Sequence, residues 1–274
     1  MKRLFQIAIL LLVMVGNLPA QSPKREVRAV WLSTVWALDW PSVTGNINAQ
    51  KTGLISILNK LQAANFNTVF FQVRGMSDAM YNSAYEPWSQ YLSGERGADP
   101  GWDPLAYIVE EAHARGMELH AWINPYRYST AEASHGNLPD DYAVAHPDWL
   151  MDYGNYTKIL NPGMKEVMQR ICDIVEDIIT HYDVDGIVFD DYFYADAGQR
   201  FELDNELYKA NNPLGLSQAD WRRNNVNQMV RDVQARINSI KPYLTFGISP
   251  AGVAASDPAV AAKYGVDPAP AGSD

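Results

Sequence analysis

Two adjacent carboxylates, Asp190 and Asp191, end the short apolar run Ile187-Val188-Phe189, and they are the first residues in the chain whose types and placement could do chemistry. The run reads as a strand buried on both faces, of the kind found in parallel sheets. Ligands and catalytic groups collect at the C-terminal ends of such strands, because the loops leaving them surround one mouth. A carboxylate pair there suits acid–base or charge-stabilising work. The plainer alternative is loop punctuation, or a cap for the next helix.

Other polar residues share that position. Side chains alternate along a strand, so Gln72 and Arg74 share one side of an earlier strand, and His120, Trp122 and Asn124 one side of the next. Asp190 has the parity of Gly186 and Val188, and a last strand offers Thr245, Gly247 and Ser249. Polar groups gathered inside a barrel must satisfy one another or a ligand. Arg74 is the arginine expected near Asp190, where it would keep the carboxylate ionised. A purely structural Arg74–Asp190 pair is the competing reading.

These residues need a scaffold, and the chain alternates strand and helix patterns from Val27 onward. Strands are predicted at 27–33, 67–74, 117–124, 184–190 and 243–249, and helices at 48–64, 103–115, 164–181 and 218–241. Gly116 and Pro242 stand where the second and fourth helices should stop. Strands alternating with helices imply βαβ crossovers and a parallel α/β sheet. No glycine-rich phosphate turn follows the first strand, which removes the main signature of a dinucleotide fold. The loops after strands two, three and four are long and aromatic. They hold Tyr81, Tyr85, Trp88, Tyr91 and Trp102; then Tyr126, Tyr128, Trp149, Tyr153 and Tyr156; then Tyr192, Phe193, Tyr194 and Phe201. Loops converging from C-terminal strand ends are the design of a (β/α)8 TIM barrel. Five βα units are visible, so residues 26–274 are expected to be the N-terminal part of such a barrel. Some of the aromatic residues are expected to serve as cores of their own loops.

Composition narrows the function further. The 274 residues are 47% hydrophobic, enough for one large domain. Residues 1–20 read as a secretory signal peptide, with Lys2 and Arg3 before an apolar run from Leu4 to Val15 and a small-residue end at Ala20. The run is too short to be a comfortable membrane span, and the expected location is secreted or periplasmic. The formal net charge of −10 disfavours nucleic acid and anionic membrane surfaces as partners. The single cysteine, Cys172, excludes an intrachain disulfide. The histidines lack paired ligand spacing, so neither metal nor cofactor is expected, and a metal-dependent deacetylase is a weaker reading. No Gly-x-Ser-x-Gly elbow is present, which disfavours an esterase.

A carboxylate pair, aromatic loops and export together suggest glycoside chemistry, in which two carboxyl groups flank the scissile bond. The stretch Asp185 to Asp190 looks like the fourth-strand signature of the α-amylase superfamily without its arginine. A chitinase pattern would need acids where Val188 and Tyr192 stand. Five collinear blocks carry a closer resemblance: Arg28-Ala29-Val30-Trp31-Leu32, Phe71-Gln72-Val73-Arg74-Gly75, Ala121-Trp122-Ile123-Asn124-Pro125-Tyr126-Arg127, Gly186 to Tyr194, and Phe246-Gly247-Ile248-Ser249-Pro250. Together they resemble glycosyl-hydrolase-like family 10, over nearly all of residues 26–252. The resemblance implies a (β/α)8 barrel with its remaining strands beyond residue 274, and an envelope glycosidase acting on an amino-sugar polymer such as peptidoglycan glycan strands. It carries over Asp190 and Asp191 as the catalytic pair, with Arg74, Asn124 and Arg127 at the mouth. Gln72, His120, Trp122, Tyr126, Tyr192 and Ser249 complete the expected polysaccharide-binding set. A catalytically silent carbohydrate-binding barrel is the alternative.

Overall fold

The computed structural model describes residues 26–130, 138–154, 156–191, 193–194 and 202–250. The expected signal peptide and the stretch after Pro250 lie outside the described residues. In chain order come β1 (Ala29–Leu32), α1 (Ile47–Ala63), β2 (Thr68–Arg74), α2 (Pro104–His113) and β3 (Glu118–Ile123). They are followed by β4 (Arg127–Ser129), β5 (Leu150–Gly154), β6 (Thr157–Leu160), α3 (Lys165–His181), β7 (Gly186–Asp190), α4 (Gln218–Ile240) and β8 (Thr245–Ser249). The predicted helices and parallel strands agree with these bounds to within two residues at each end.

Local chemistry sets the helix ends. The Asn46 side chain accepts from the backbone N–H of Ala49 at the start of α1, and Asp103 does the same for Ala106 of α2, with Pro104 in the first turn. Each cap satisfies one orphan N–H and contributes about 1 kcal/mol. Gly116 adopts the left-handed φ of +70° that ends the turn after α2. Along α3, Ile171, Ile174, Val175 and Ile178 form one buried stripe, each side chain adding roughly 1.5–3 kcal/mol by leaving water.

The main sheet is parallel, in the order β1-β2-β3-β7-β8. Val69, Phe71, Val73, Leu119, Ala121, Ile123, Ile187 and Phe189 pack with the helices in one apolar core. The alternate residues take the opposite face. Trp31, Phe70, His120, Gly186 and Thr245 lie in register across it, with Trp122, Val188 and Gly247 in the next row. On that face Trp31 meets Phe70 and Trp122 edge-on, at centroid distances of 4.8 and 4.9 Å, contacts worth about 0.5–1.5 kcal/mol each.

Glycine is required at one place in this row. A Cβ on Gly186 would sit 2.4 Å from Nδ1 of His120 and 2.7 Å from the Thr245 carbonyl oxygen. Gly186→Ala is therefore expected to lower stability by about 1–3 kcal/mol, the usual cost of overpacking. The expected readout is a lower denaturant midpoint at unchanged slope.

The sequence reading missed a second sheet. β4, β6 and β5 form a three-stranded antiparallel sheet, so the stretch after β3 is not an open loop. Its strands are short and carry polar positions, and the pairings are local to the insertion, so no long period announces them.

Candidate active site

Parallel register brings the expected residues to one rim. Asp190 pairs in register with Ser249, and Phe189 with Ile123 at the end of β3. The Asn124 side chain spans the gap, donating to the backbone carbonyl of Asp190 at 3.0 Å and accepting from Gln72 at 2.6 Å. Gln72, wholly buried, also accepts from the backbone N–H groups of Thr34 and Val35 at 2.8 and 2.9 Å. A continuous buried chain of amide hydrogen bonds therefore runs from the loop after β1 to the carbonyl of Asp190.

The cation beside the carboxylate pair is Arg127, at the start of β4. It forms an ion pair with Asp191. Asp191 follows the strand with a left-handed φ of +63°, an uncommon backbone state for a residue with a Cβ. Burial pushes the Asp190 carboxyl above its ordinary range, while the Arg127 charge and a hydrogen bond from Ser249 oppose the rise.

This corrects the expectation that Arg74 keeps Asp190 ionised. Arg74 is fully buried and its charge is taken by Glu86, with guanidinium–carboxylate contacts of 2.7 and 2.6 Å. Its remaining donors reach Ser77 and the backbone carbonyl of Asn124. Burial by itself would weaken protonation of Arg74, but Glu86 reverses this and the net shift is upward. The Tyr142 hydroxyl donates to Glu86 as well, at 3.1 Å. Arg74 therefore locks the loop after β2 against the rim and has no face left for a ligand. Nothing in the spacing pointed to Glu86, because the pair closes an irregular loop of eleven intervening residues. Arg96, ion-paired at 3.1 Å with buried Asp141, is a second tie of the same kind.

Several expected binding residues play structural parts. Gln72 is spent on the amide chain described above. Tyr126 is wholly buried in the core cluster. His120 lies lower on the sheet, over Gly186, with a ring nitrogen 3.2 Å from Glu118 and its ring against Phe70. Trp122 occupies the face opposite the helices, and its Nε1–H meets no acceptor among the described residues. Asn124, Arg127, Asp190, Asp191 and Ser249 do come together. Tyr192 lies outside the described residues.

The aromatic residues of the loops serve in most cases as loop cores, the role expected for some of them. Tyr81, Tyr128, Tyr142 and Trp149 are buried, and Trp88, Tyr91, Trp102, Tyr153 and Tyr194 pack against the core. Tyr85, Tyr142 and Trp149 surround Arg170 of α3, at 5.1, 5.8 and 5.6 Å from its guanidinium carbon. These rings bind the loops to the barrel wall, because a long loop can bury its backbone only by building a core of its own. Among the described residues no group of three or more His, Cys, Asp or Glu side chains gathers as for a metal ion, and no helix is long and apolar enough to cross a membrane.

The Ser249 hydrogen bond gives a test. Ser249→Ala removes an interaction that lowers the Asp190 pKa, so the pKa should rise. If ionised Asp190 is the active form, the acid limb of the pH–activity profile then moves to higher pH. An unmoved limb would separate Asp190 from the rate-determining ionisation.

The chain is similar to known proteins in sequence and in fold. The chain is 44% identical over 242 residues to glycosyl hydrolase YngK of Bacillus subtilis (strain 168), spanning 85% of this chain and 47% of that protein. It is 41% identical over 251 residues to glycosyl hydrolase DigH of Escherichia coli (strain K12), spanning 85% and 57%. The chain thus covers about half the length of these relatives. Among solved structures, α-L-fucosidase isoenzyme 2 from Paenibacillus thiaminolyticus superposes with a TM-score of 0.58 at 15% identity, over 84% of this chain and 33% of that one. The glycoside hydrolase domain of PgaB (BpsB) from Bordetella bronchiseptica gives 0.57 at 12% identity, over 85% and 67%. These likenesses agree with an α/β fold of (β/α)8 type, of which the described residues hold five parallel strands and four crossover helices. The model of the family described as glycosyl hydrolase-like 10 matches residues 26–264, and the chain belongs to that family.

Proposed function

We propose that the protein is an exported glycoside hydrolase that cleaves an amino-sugar polymer, peptidoglycan glycan strands in particular, with Asp190 as its principal catalytic carboxylate. The observation that carries this reading is the placement of Asp190 and Asp191 at the C-terminal end of β7, beside the guanidinium of Arg127. Breaking a glycosidic bond develops positive charge on the sugar carbon, which an ionised carboxylate stabilises more in the transition state than in the ground state. Asp190 is presented by a sheet strand, and its backbone is held by Asn124. Asp191 forms an ion pair with Arg127, which suits it to orienting that guanidinium.

Support for export comes from the basic start and apolar run of residues 1–20. The test is release of reducing ends from glycan strands stripped of their peptides. Release by the full chain supports the reading. Binding without release would establish the silent carbohydrate-binding barrel in its place.

A further inference from the structure

We infer that Trp36, on the loop leaving β1, is a platform on which a sugar ring of the polymer stacks; the inference rests on the glycoside hydrolase reading. Trp36 is the most exposed of the eight tryptophans, at 48%. Trp40, Trp122, Trp149 and Trp221 are all below 10%. Beside it Leu38 and Val43 are also exposed, at 64% and 42%, so the loop presents a small apolar surface.

The backbone there is held in a state that a side chain disfavours. Trp36 and Ala37 have φ of 54° and 52°, two successive left-handed residues with no glycine between them. Steric repulsion opposes that conformation, and it persists only where the surroundings over-determine it. The surroundings do so here. Gln72 accepts from the N–H groups of Thr34 and Val35 and from the Ser33 hydroxyl, and the Thr34 hydroxyl donates to the Gln72 carbonyl at 2.9 Å. The Asp39 carboxylate accepts from the Ser33 N–H at 2.8 Å. A large ring is thus kept in water by a strained turn that rests on buried hydrogen bonds. Backbone preference does not explain that arrangement.

Position supplies the reason. The turn leaves the C-terminal end of β1, on the same rim as Asp190, and Gln72 beneath it continues through Asn124 to the Asp190 carbonyl. The ring and the carboxylate are therefore held in one rigid frame. A flat indole suits the apolar C–H face of a pyranose, and ring and chain together fix a polymer that spans more than the residue being cut. Trp36 acts as a positioning residue, away from the bond that breaks.

The experiment measures KM and kcat of the full chain on denuded glycan strands, with melting temperature alongside. Trp36→Ala is expected to raise KM about tenfold, a typical scale for losing one aromatic stacking contact, with much less change in kcat and no fall in melting temperature. Trp36→Phe should recover part of the loss. Ala37→Gly, which relaxes the neighbouring backbone and leaves the ring in place, should not alter KM. If Trp36→Ala leaves KM within twofold of wild type, or lowers the melting temperature and kcat together, the ring is not a platform and the inference fails. If the wild type cleaves none of the glycan, the glycoside hydrolase reading fails, and the platform with it.

Discussion

Asp190→Asn is expected to lower turnover by at least roughly a hundredfold, a typical scale for losing a positioned catalytic group, while fold and glycan binding remain. Asparagine has the shape of aspartate and cannot carry its charge, so the substitution isolates the electrostatic contribution. Retention of the fold follows from the same site. Burial raises the Asp190 pKa, so its charge adds nothing to folding stability and a neutral replacement of the same shape loses little. Reducing-end release from denuded glycan strands is compared at equal folded concentration, with binding of the same strands measured separately. Near-normal turnover in the variant would remove Asp190 from the mechanism and direct attention to Asp191 or to groups outside the described residues.

Glu86→Ala is expected to produce the largest loss of stability, about 3–5 kcal/mol, because it leaves the fully buried Arg74 charge uncompensated. At about 2–4 °C per kcal/mol for a domain of this size, the melting temperature falls by roughly 6–20 °C. The double variant Arg74→Met with Glu86→Leu should lose less than the two single changes added together, since it removes both charges at once. The same substitution should also reduce turnover per folded molecule. Arg74 donates to the carbonyl of Asn124, and Asn124 holds the backbone of Asp190. Additive losses in the double variant would show that the pair acts as two independent packing contacts.

Much of the scaffold was legible in the chain itself. The parallel strands and the helices between them follow from hydrophobic period, caps and breakers, all of them local properties that neighbours in sequence can encode. The placement of Asp190, Asp191, Asn124 and Ser249 on one rim follows as well, because in a parallel sheet every strand ends on the same side. What could not be read was the choice of partner. Arg74 had the right parity to face Asp190, yet it pairs with Glu86, and Arg127 takes the place beside the acids. Charge pairing depends on which side chains meet after irregular loops have folded, and such loops carry no period. The aromatic residues show the same division. Composition alone suggested a cleft of rings, whereas the fold buries most of them inside the loops and around Arg170 and leaves Trp36 in water on a strained turn. Local patterning encodes the order of elements and the rim on which the carboxylates stand. Which arginine faces them and which rings stay exposed depend on long-range packing, which no local pattern encodes.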